Sequence, residues 1–119
     1  MTNQDLLAIA AEYGSPVYVY DAEKIEAQYK RLTSAFSSIK KLRIHYAVKA
    51  LSNISILKFV DKLGSGLDTV SIQEVQLGIK AGVDPSKIIF TPNGVSLEEI
   101  EKVAKLGVQI NIDNLSILE

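Results

Sequence analysis

Apolar residues recur along this chain at two spacings, one typical of buried strands and one typical of amphipathic helices. Four short apolar runs predict strands, near 42–47, 67–70, 88–90 and 108–112. Three stretches with helical spacing lie between them, near 54–63, 72–81 and 97–106. Successive strands start roughly 20 to 25 residues apart, the length of one βα unit. The pattern therefore predicts about four βα units with parallel strands.

Local signals at the helix ends support these units. Glycine follows each of the three helical stretches, at Gly64, Gly82 and Gly107. Ser71 with Glu74, and Ser96 with Glu99, have the spacing of a capping box at a helix start. Since regular βαβ units bury their strands, we expect a parallel sheet covered on both faces.

The first forty residues precede this repeat. Apolar residues at helical spacing end at Gly14, and 17–20 is a short apolar run that predicts a strand. Asp21 can cap a second helix. Its expected buried stripe is Ile25, Tyr29, Leu32 and Phe36. A further helix is predicted to begin within 112–119.

Composition narrows the class of protein. The chain has 119 residues, 47% of them hydrophobic, enough for the core of one domain. Thirteen basic and 14 acidic residues give a net charge of -1, so neither a nucleic acid nor a membrane is an expected partner. Cysteine is absent, which excludes thiolate catalysis, and no metal site is expected. The N-terminal residues lack a basic segment before a long apolar run, so we expect a cytoplasmic protein.

Lys49 is the first candidate for chemistry. It directly follows an apolar strand, and lysine is normally kept on solvated surfaces. An amine at the carboxyl end of a parallel strand is placed for Schiff-base formation with an aldehyde. By position alone, a solvated loop lysine without a role is the favoured interpretation.

The run Tyr46-Ala47-Val48-Lys49-Ala50 resembles the pyridoxal-phosphate lysine motif of the alanine-racemase-fold amino-acid decarboxylases. Three further segments resemble the family in the same order, namely 64–74, 81–90 and 110–113. The resemblance implies an α/β fold, the N-terminal half of a (β/α)8 TIM barrel. It also implies a partial pyridoxal-phosphate-binding domain over 1–119, with an N-terminal extension 1–40 and βα repeats 41–119. The rest of the barrel and a C-terminal β domain would then lie outside this chain.

The same resemblance implies the site residues and the cofactor, pyridoxal 5'-phosphate. Lys49 would hold the cofactor through a Schiff base, and Asp68 and Glu74 match carboxylates near it. Ala47, predicted to lie on the same side of the strand as His45 and Lys49, would leave room for the flat ring. Asp68 could instead make local turn hydrogen bonds, and Glu74 could serve only as a cap. His45 is expected in the barrel interior without a cofactor role.

Asn93 follows the third strand, where the family has part of its active-site rim. Asn93-Gly94 is equally a generic turn signal, so no role is assigned to it.

The expected reaction is pyridoxal-phosphate-dependent decarboxylation of an amino acid, most like that of the diaminopimelate decarboxylases. The segment 15–21 resembles their start, although relatives acting on arginine or carboxynorspermidine share it, and ornithine is a further candidate substrate. Alanine racemases have a different continuation after the lysine. By resemblance the full-length enzyme would be a homodimer, and this chain alone would be inactive. The alternative of another class is a non-catalytic α/β binding module of flavodoxin-like type.

Overall fold

A computed structural model describes residues 1–112 and 115 of the chain. It divides into two compact units, Met1–Lys40, here called the N-terminal unit, and Lys41–Glu119, here called the repeat unit. The helix predicted within 112–119 and Asp113 of the resembling segment lie outside the described residues.

The N-terminal unit consists of two capped helices. Helix α1 (Asn3–Tyr13) begins at Thr2, whose hydroxyl accepts from the Asp5 amide, and the Asp5 carboxylate accepts in return from the Thr2 amide. Helix α2 (Ala22–Ala35) begins at Asp21, as predicted, and the Asp21 carboxylate accepts from the Lys24 amide.

Two predictions for this unit are wrong. Residues 17–20 form no strand, because no described strand pairs with them to make a hydrogen-bonded ladder. The stripe on α2 is not buried, since Ile25 and Tyr29 are only half-buried and Leu32 and Phe36 are 45% and 44% exposed. Helical spacing orients an apolar face but does not supply the layer that covers it.

The repeat unit alternates strand and helix as the pattern predicts. Its elements in chain order are β1 (His45–Ala47), α3 (Ile54–Lys62), β2 (Gly66–Thr69), α4 (Ile72–Lys80), β3 (Ile88–Phe90), α5 (Leu97–Ala104) and β4 (Gln109–Ile110). The strands are parallel in the order β1-β2-β3-β4. Glycine has positive φ after each of these helices, at Gly64, Gly82 and Gly107. Strand β1 is shorter than the predicted run 42–47, because its pairing with β2 starts only at His45, the partner of Gly66.

The core of the repeat unit lies between the sheet and its helices. Leu67, Ile88 and Phe90 are fully buried, together with Leu57 of α3 and Val75 of α4. Glycine lets α4 approach the sheet closely, because a Cβ at Gly78 would lie 2.7 Å from the Leu67 Cδ1 atom. One apolar layer therefore stabilises the unit.

The expected covering of both sheet faces is wrong for the described residues. Ala47, Asp68 and Ile89 face away from the core and are half-buried, and Gln109 is exposed. A strand order without reversal, joined by crossovers of one hand, places every connecting helix on the same face. This order also differs from that of the flavodoxin-like alternative, whose sheet reverses its strand order.

Candidate functional site

Lys49 lies at the carboxyl end of β1, in a 3₁₀ turn formed by Val48–Ala50. Its side chain is exposed, while the preceding Val48 is fully buried in the core. The strand ends at Ala47, so the period-2 alternation predicted from His45 to Lys49 does not extend to Lys49. The turn nevertheless presents a primary amine at the edge where parallel βα folds carry their functional groups.

The turn that carries Lys49 is tied down on both sides. The Leu51 amide donates to the Val48 carbonyl at 3.1 Å, and the Tyr46 hydroxyl donates to the Leu51 carbonyl at 3.2 Å. The following helix α3 begins at Asn53, whose side-chain oxygen accepts from the Ser55 amide at 2.9 Å. Since its flanks are fixed, the backbone of Lys49 is held in place while its long side chain stays in solvent.

Asp68 lies on β2, beside the strand end that carries Lys49. Its Cα pairs with that of Ala47, and its carboxylate is half-buried on the face away from the helices. The Thr91 hydroxyl donates to Asp68 Oδ1 at 3.1 Å, and the Asn111 amide nitrogen donates to the Thr91 hydroxyl oxygen at 3.1 Å. These bonds cross from β2 to the ends of β3 and β4, so Asp68 does more than bond within its own turn.

Glu74 is committed to the start of α4. Its Oε2 atom accepts from the Val70 amide at 2.8 Å, and its own amide donates to the Ser71 hydroxyl at 3.3 Å. The carboxylate therefore reaches one residue further back than the Ser71 amide that a capping box predicts. This contact explains Glu74 as a cap, and its role toward a cofactor stays a prediction.

Glu99, the matching residue in α5, bonds to a different helix. Its amide donates to the Ser96 hydroxyl, but its Oε1 atom accepts from the Ile72 amide of α4 at 2.9 Å. The predicted capping box at Ser96 is thus only half formed, because the carboxylate instead satisfies a free donor at the start of α4.

His45 and Ala47 occupy the same face as Asp68, as strand alternation predicts. His45 is half-buried beside Gly66, where an added Cβ would lie 2.5 Å from the imidazole Cδ2 and would collide with the Lys87 carbonyl oxygen. The His45 ring and the Lys87 carbonyl therefore fill the space over Gly66. Ala47, nearer the carboxyl end of β1, carries only a methyl group on this face, which leaves room there for a flat ring.

Asn93 is exposed in the turn after β3 and is not part of the hydrogen-bonded chain at Asp68. Thr91, two residues earlier, takes that place, and the sequence analysis did not assign it a role. The signal was present, because Thr91 and Asn111 each lie two residues beyond a strand residue of the Asp68 face, Ile89 and Gln109.

A cleft of about 380 Å³ lies at the opposite, amino-terminal edge of the sheet. Arg43, His45, Gly66 and Lys87 contribute to its lining. Parallel βα folds place their chemistry at the carboxyl ends of the strands. We therefore assign the candidate site to the edge with Lys49 and Asp68 and not to this cleft.

Among the described residues, 1–112 and 115, no helix combines the length and apolar character needed to cross a membrane. No group of three or more His, Cys, Asp or Glu residues in this part of the chain is arranged to hold a metal ion.

Comparison with known proteins identifies the fold and the cofactor class. Residues 22–119 match the family model described as the pyridoxal-dependent decarboxylase, pyridoxal binding domain. The chain belongs to this family. The pyridoxal cofactor predicted from the lysine motif is therefore confirmed, as is the α/β fold with the four parallel strands of the decarboxylase barrel.

Relatives within the pyridoxal-dependent decarboxylases extend the match to most of the chain. A diaminopimelate decarboxylase of Methanothermobacter thermautotrophicus is 38% identical over 113 residues, which are 94% of this chain and 26% of the relative. One from Helicobacter pylori strain J99 is 47% identical over 96 residues, 81% of this chain and 24% of the relative. The crystal structure of diaminopimelate decarboxylase from M. jannaschii in co-complex with L-lysine superposes with a TM-score of 0.89 at 32% identity, covering 95% of this chain and 27% of that one. The chain thus spans about a quarter of the length of these relatives.

Proposed function

We propose that the full-length protein carrying this chain decarboxylates meso-diaminopimelate to L-lysine and carbon dioxide. The observation that carries the proposal is the exposed amine of Lys49, held on a fixed turn at the carboxyl end of β1, next to the strand that carries Asp68. Membership of the pyridoxal-dependent decarboxylases supports the reaction type, and the relatives named diaminopimelate decarboxylase support the substrate.

The residues present fit the cofactor chemically. A primary amine is what covalent attachment to the aldehyde of pyridoxal phosphate requires, and Lys49 offers one in solvent. When bound, the cofactor supplies an electron-poor ring that accepts the electron pair left when the bond between Cα and the carboxylate breaks. The small side chain of Ala47, on the same face of the sheet as Asp68, would leave room for that ring.

Each residue has a defined part in the proposal. Lys49 would hold the cofactor through its Nζ atom, and the same atom would carry the proton that replaces carbon dioxide on Cα. Asp68 would present a carboxylate at the same edge of the sheet, to order the groups around the cofactor. Glu74 keeps the start of α4 in place through Val70, which leaves the second carboxylate oxygen for a cofactor contact.

The isolated 119-residue chain is proposed to be inactive, because it spans about a quarter of the relatives' length. The homodimer implied by the resemblance and the cytoplasmic location expected from the N-terminal residues stay predictions.

The deciding experiment is covalent trapping in the full-length protein. Incubation with pyridoxal phosphate, reduction with borohydride and peptide mass spectrometry should give one adduct, on Lys49. The Lys49→Ala variant should lose the adduct and lower kcat by at least about a thousandfold. Lys58→Ala, which removes another exposed lysine on α3, is the matched control and should retain both. Absence of an adduct, or labels spread over several lysines, would contradict the proposal.

A second assay tests the substrate. Carbon dioxide release should be fastest with meso-diaminopimelate in a panel that also contains L-arginine, L-ornithine and carboxynorspermidine. Release that is faster with one of the other three would retain the reaction type and replace the substrate.

A further inference from the structure

Three polar side chains form a hydrogen-bonded chain across the carboxyl ends of three neighbouring strands. Asn111 Nδ2 donates to Thr91 Oγ1, and Thr91 Oγ1 donates to Asp68 Oδ1, both at 3.1 Å. The backbone holds the members in register, because the Thr91 amide donates to the Thr69 carbonyl and the Asn111 amide to the Phe90 carbonyl, each at 2.8 Å. The geometry of this chain is therefore set by the sheet.

The hydrogen bonds from Asn111 through Thr91 to Asp68 all run in one direction. A hydroxyl carries a single proton and an ionised carboxylate can only accept, so Thr91 must donate to Asp68. The Asn111 amide occupies a lone pair of the Thr91 oxygen, which leaves the hydroxyl proton to point at the carboxylate. Hydrogen bonds in series polarise one another, and those to a charged acceptor are the stronger kind. Asn111 thus acts on Asp68 through Thr91.

We propose that Thr91 and Asn111 are positioning residues that fix the rotamer of the Asp68 carboxylate at the sheet edge that carries Lys49. Within the described residues these bonds use Oδ1 of Asp68, and the Asp68 Cα pairs with that of Ala47, two residues before Lys49. The inference rests on the proposed function, since Asp68 matters for catalysis only if Lys49 holds the cofactor. It adds two residues whose side chains do not themselves touch the reacting atoms.

A purely structural role makes a different prediction. If these hydrogen bonds only joined the ends of β2, β3 and β4, their removal would lower the stability of the protein and leave its turnover unchanged. Thr69 provides the comparison, because its buried hydroxyl donates to the Ile89 carbonyl at 2.9 Å on the helix-facing side of the same strands. Thr69→Val removes an equivalent bond without affecting Asp68.

The test uses the full-length protein with pyridoxal phosphate bound, in the variants Thr91→Val, Thr91→Ser, Asn111→Ala and Thr69→Val. Thr91→Val should lower kcat about 10- to 100-fold with little change in KM, the loss expected for a hydrogen bond to a charged group. The visible circular dichroism of the bound cofactor should change with it. Thr91→Ser should return kcat to within about threefold of the parent, because the hydroxyl is restored.

Asn111→Ala gives a second route to the answer, because Asn111 is exposed and its truncation leaves the fold intact. Its kcat should fall about three- to tenfold, less than for Thr91→Val, since it acts through one more bond. Thr69→Val should melt at a lower temperature in the cofactor-free protein but keep the parental kcat and circular dichroism.

The inference is overturned if Thr91→Val and Asn111→Ala keep the parental kcat and cofactor spectrum, or if Thr69→Val matches them. Trapping of the cofactor on Lys49 in the parent separates two kinds of failure. An adduct on Lys49 with unaffected variants refutes the role of Thr91 and Asn111 alone. No adduct in the parent refutes the proposed function and this inference together.

Discussion

The N-terminal unit and the repeat unit begin their helices with the same chemistry but differ in what the helices bury. Thr2 and Asp21 cap α1 and α2, just as Asn53, Ser71 and Ser96 cap the helices of the repeat unit. Neither α1 nor α2 contains a buried residue, whereas α3, α4 and α5 each contain two. Local capping thus decides where a helix begins, and burial depends on a second layer that only the repeat unit supplies within itself.

The difference in burial between the two units should have its largest effect on stability when an apolar side chain is truncated in each. Leu67→Ala should lower the free energy of unfolding by about 2 to 5 kcal/mol, because Leu67 is fully buried between β2 and α4. Leu32→Ala removes the same atoms from α2, where Leu32 is 45% exposed. This substitution should change the free energy of unfolding by less than about 1 kcal/mol. Urea unfolding of the full-length variants measures both. Equal losses would mean that Leu32 is buried in the full-length protein and that the contrast belongs to this chain only.

Replacing glycine by alanine should have different effects at Gly66 and Gly78, two positions of the repeat unit where an added Cβ would lie close to neighbouring atoms. Gly66→Ala should destabilise the protein by about 1 to 3 kcal/mol, because the new methyl group meets the rigid Lys87 carbonyl and the His45 ring. Gly78→Ala should be milder, since its nearest atom is the end of the flexible Leu67 side chain and alanine favours a helix by about 1 kcal/mol over glycine. Thermal unfolding of the two variants gives the order. A larger loss at Gly78 would contradict it.

The same contrast explains which features the sequence could reveal. Strand and helix order, the cap at Asp21 and the place of Lys49 depend on neighbouring residues, and the pattern predicted each of them. The burial of Leu32 and Phe36 was predicted wrongly because it depends on a covering layer. The chain from Asn111 through Thr91 to Asp68 was missed for a related reason, since its bonds join residues 20 and 23 positions apart. Only the register of three parallel strands brings those side chains together.

Glu74→Gln distinguishes a helix-capping role of Glu74 from a role that needs its negative charge. The glutamine oxygen can still accept from the Val70 amide, so the melting temperature should change little. A fall in kcat without a fall in stability would assign Glu74 a role toward the cofactor, as the family resemblance implies. If kcat and stability are both retained, capping is the whole role of Glu74. Ser71→Ala, which removes the hydroxyl that accepts from the Glu74 amide, is the control for loss of the cap itself.

The smallest expected effect is a pH dependence confined to the N-terminal unit. The hydrogen bond from the Lys24 amide lowers the pKa of Asp21, and bonds from the Thr2 amide and hydroxyl lower the pKa of Asp5. Both folded-state pKa values lie below the unfolded ones, so the caps stabilise α1 and α2 above about pH 4 and lose that effect as the pH falls through the folded values.

Amide hydrogen exchange followed by NMR should therefore show α2 losing protection on acidification before the buried amides of α3 and α4 do. Asp21→Asn keeps a capping oxygen but has no titrating group, so α2 in this variant should lose less protection as the pH falls below about 4. If the parent and Asp21→Asn lose protection alike, the acid sensitivity of α2 arises from another group. If α3 and α4 open at the same pH as α2, the two units unfold together, and capping and burial cannot be assigned to them separately.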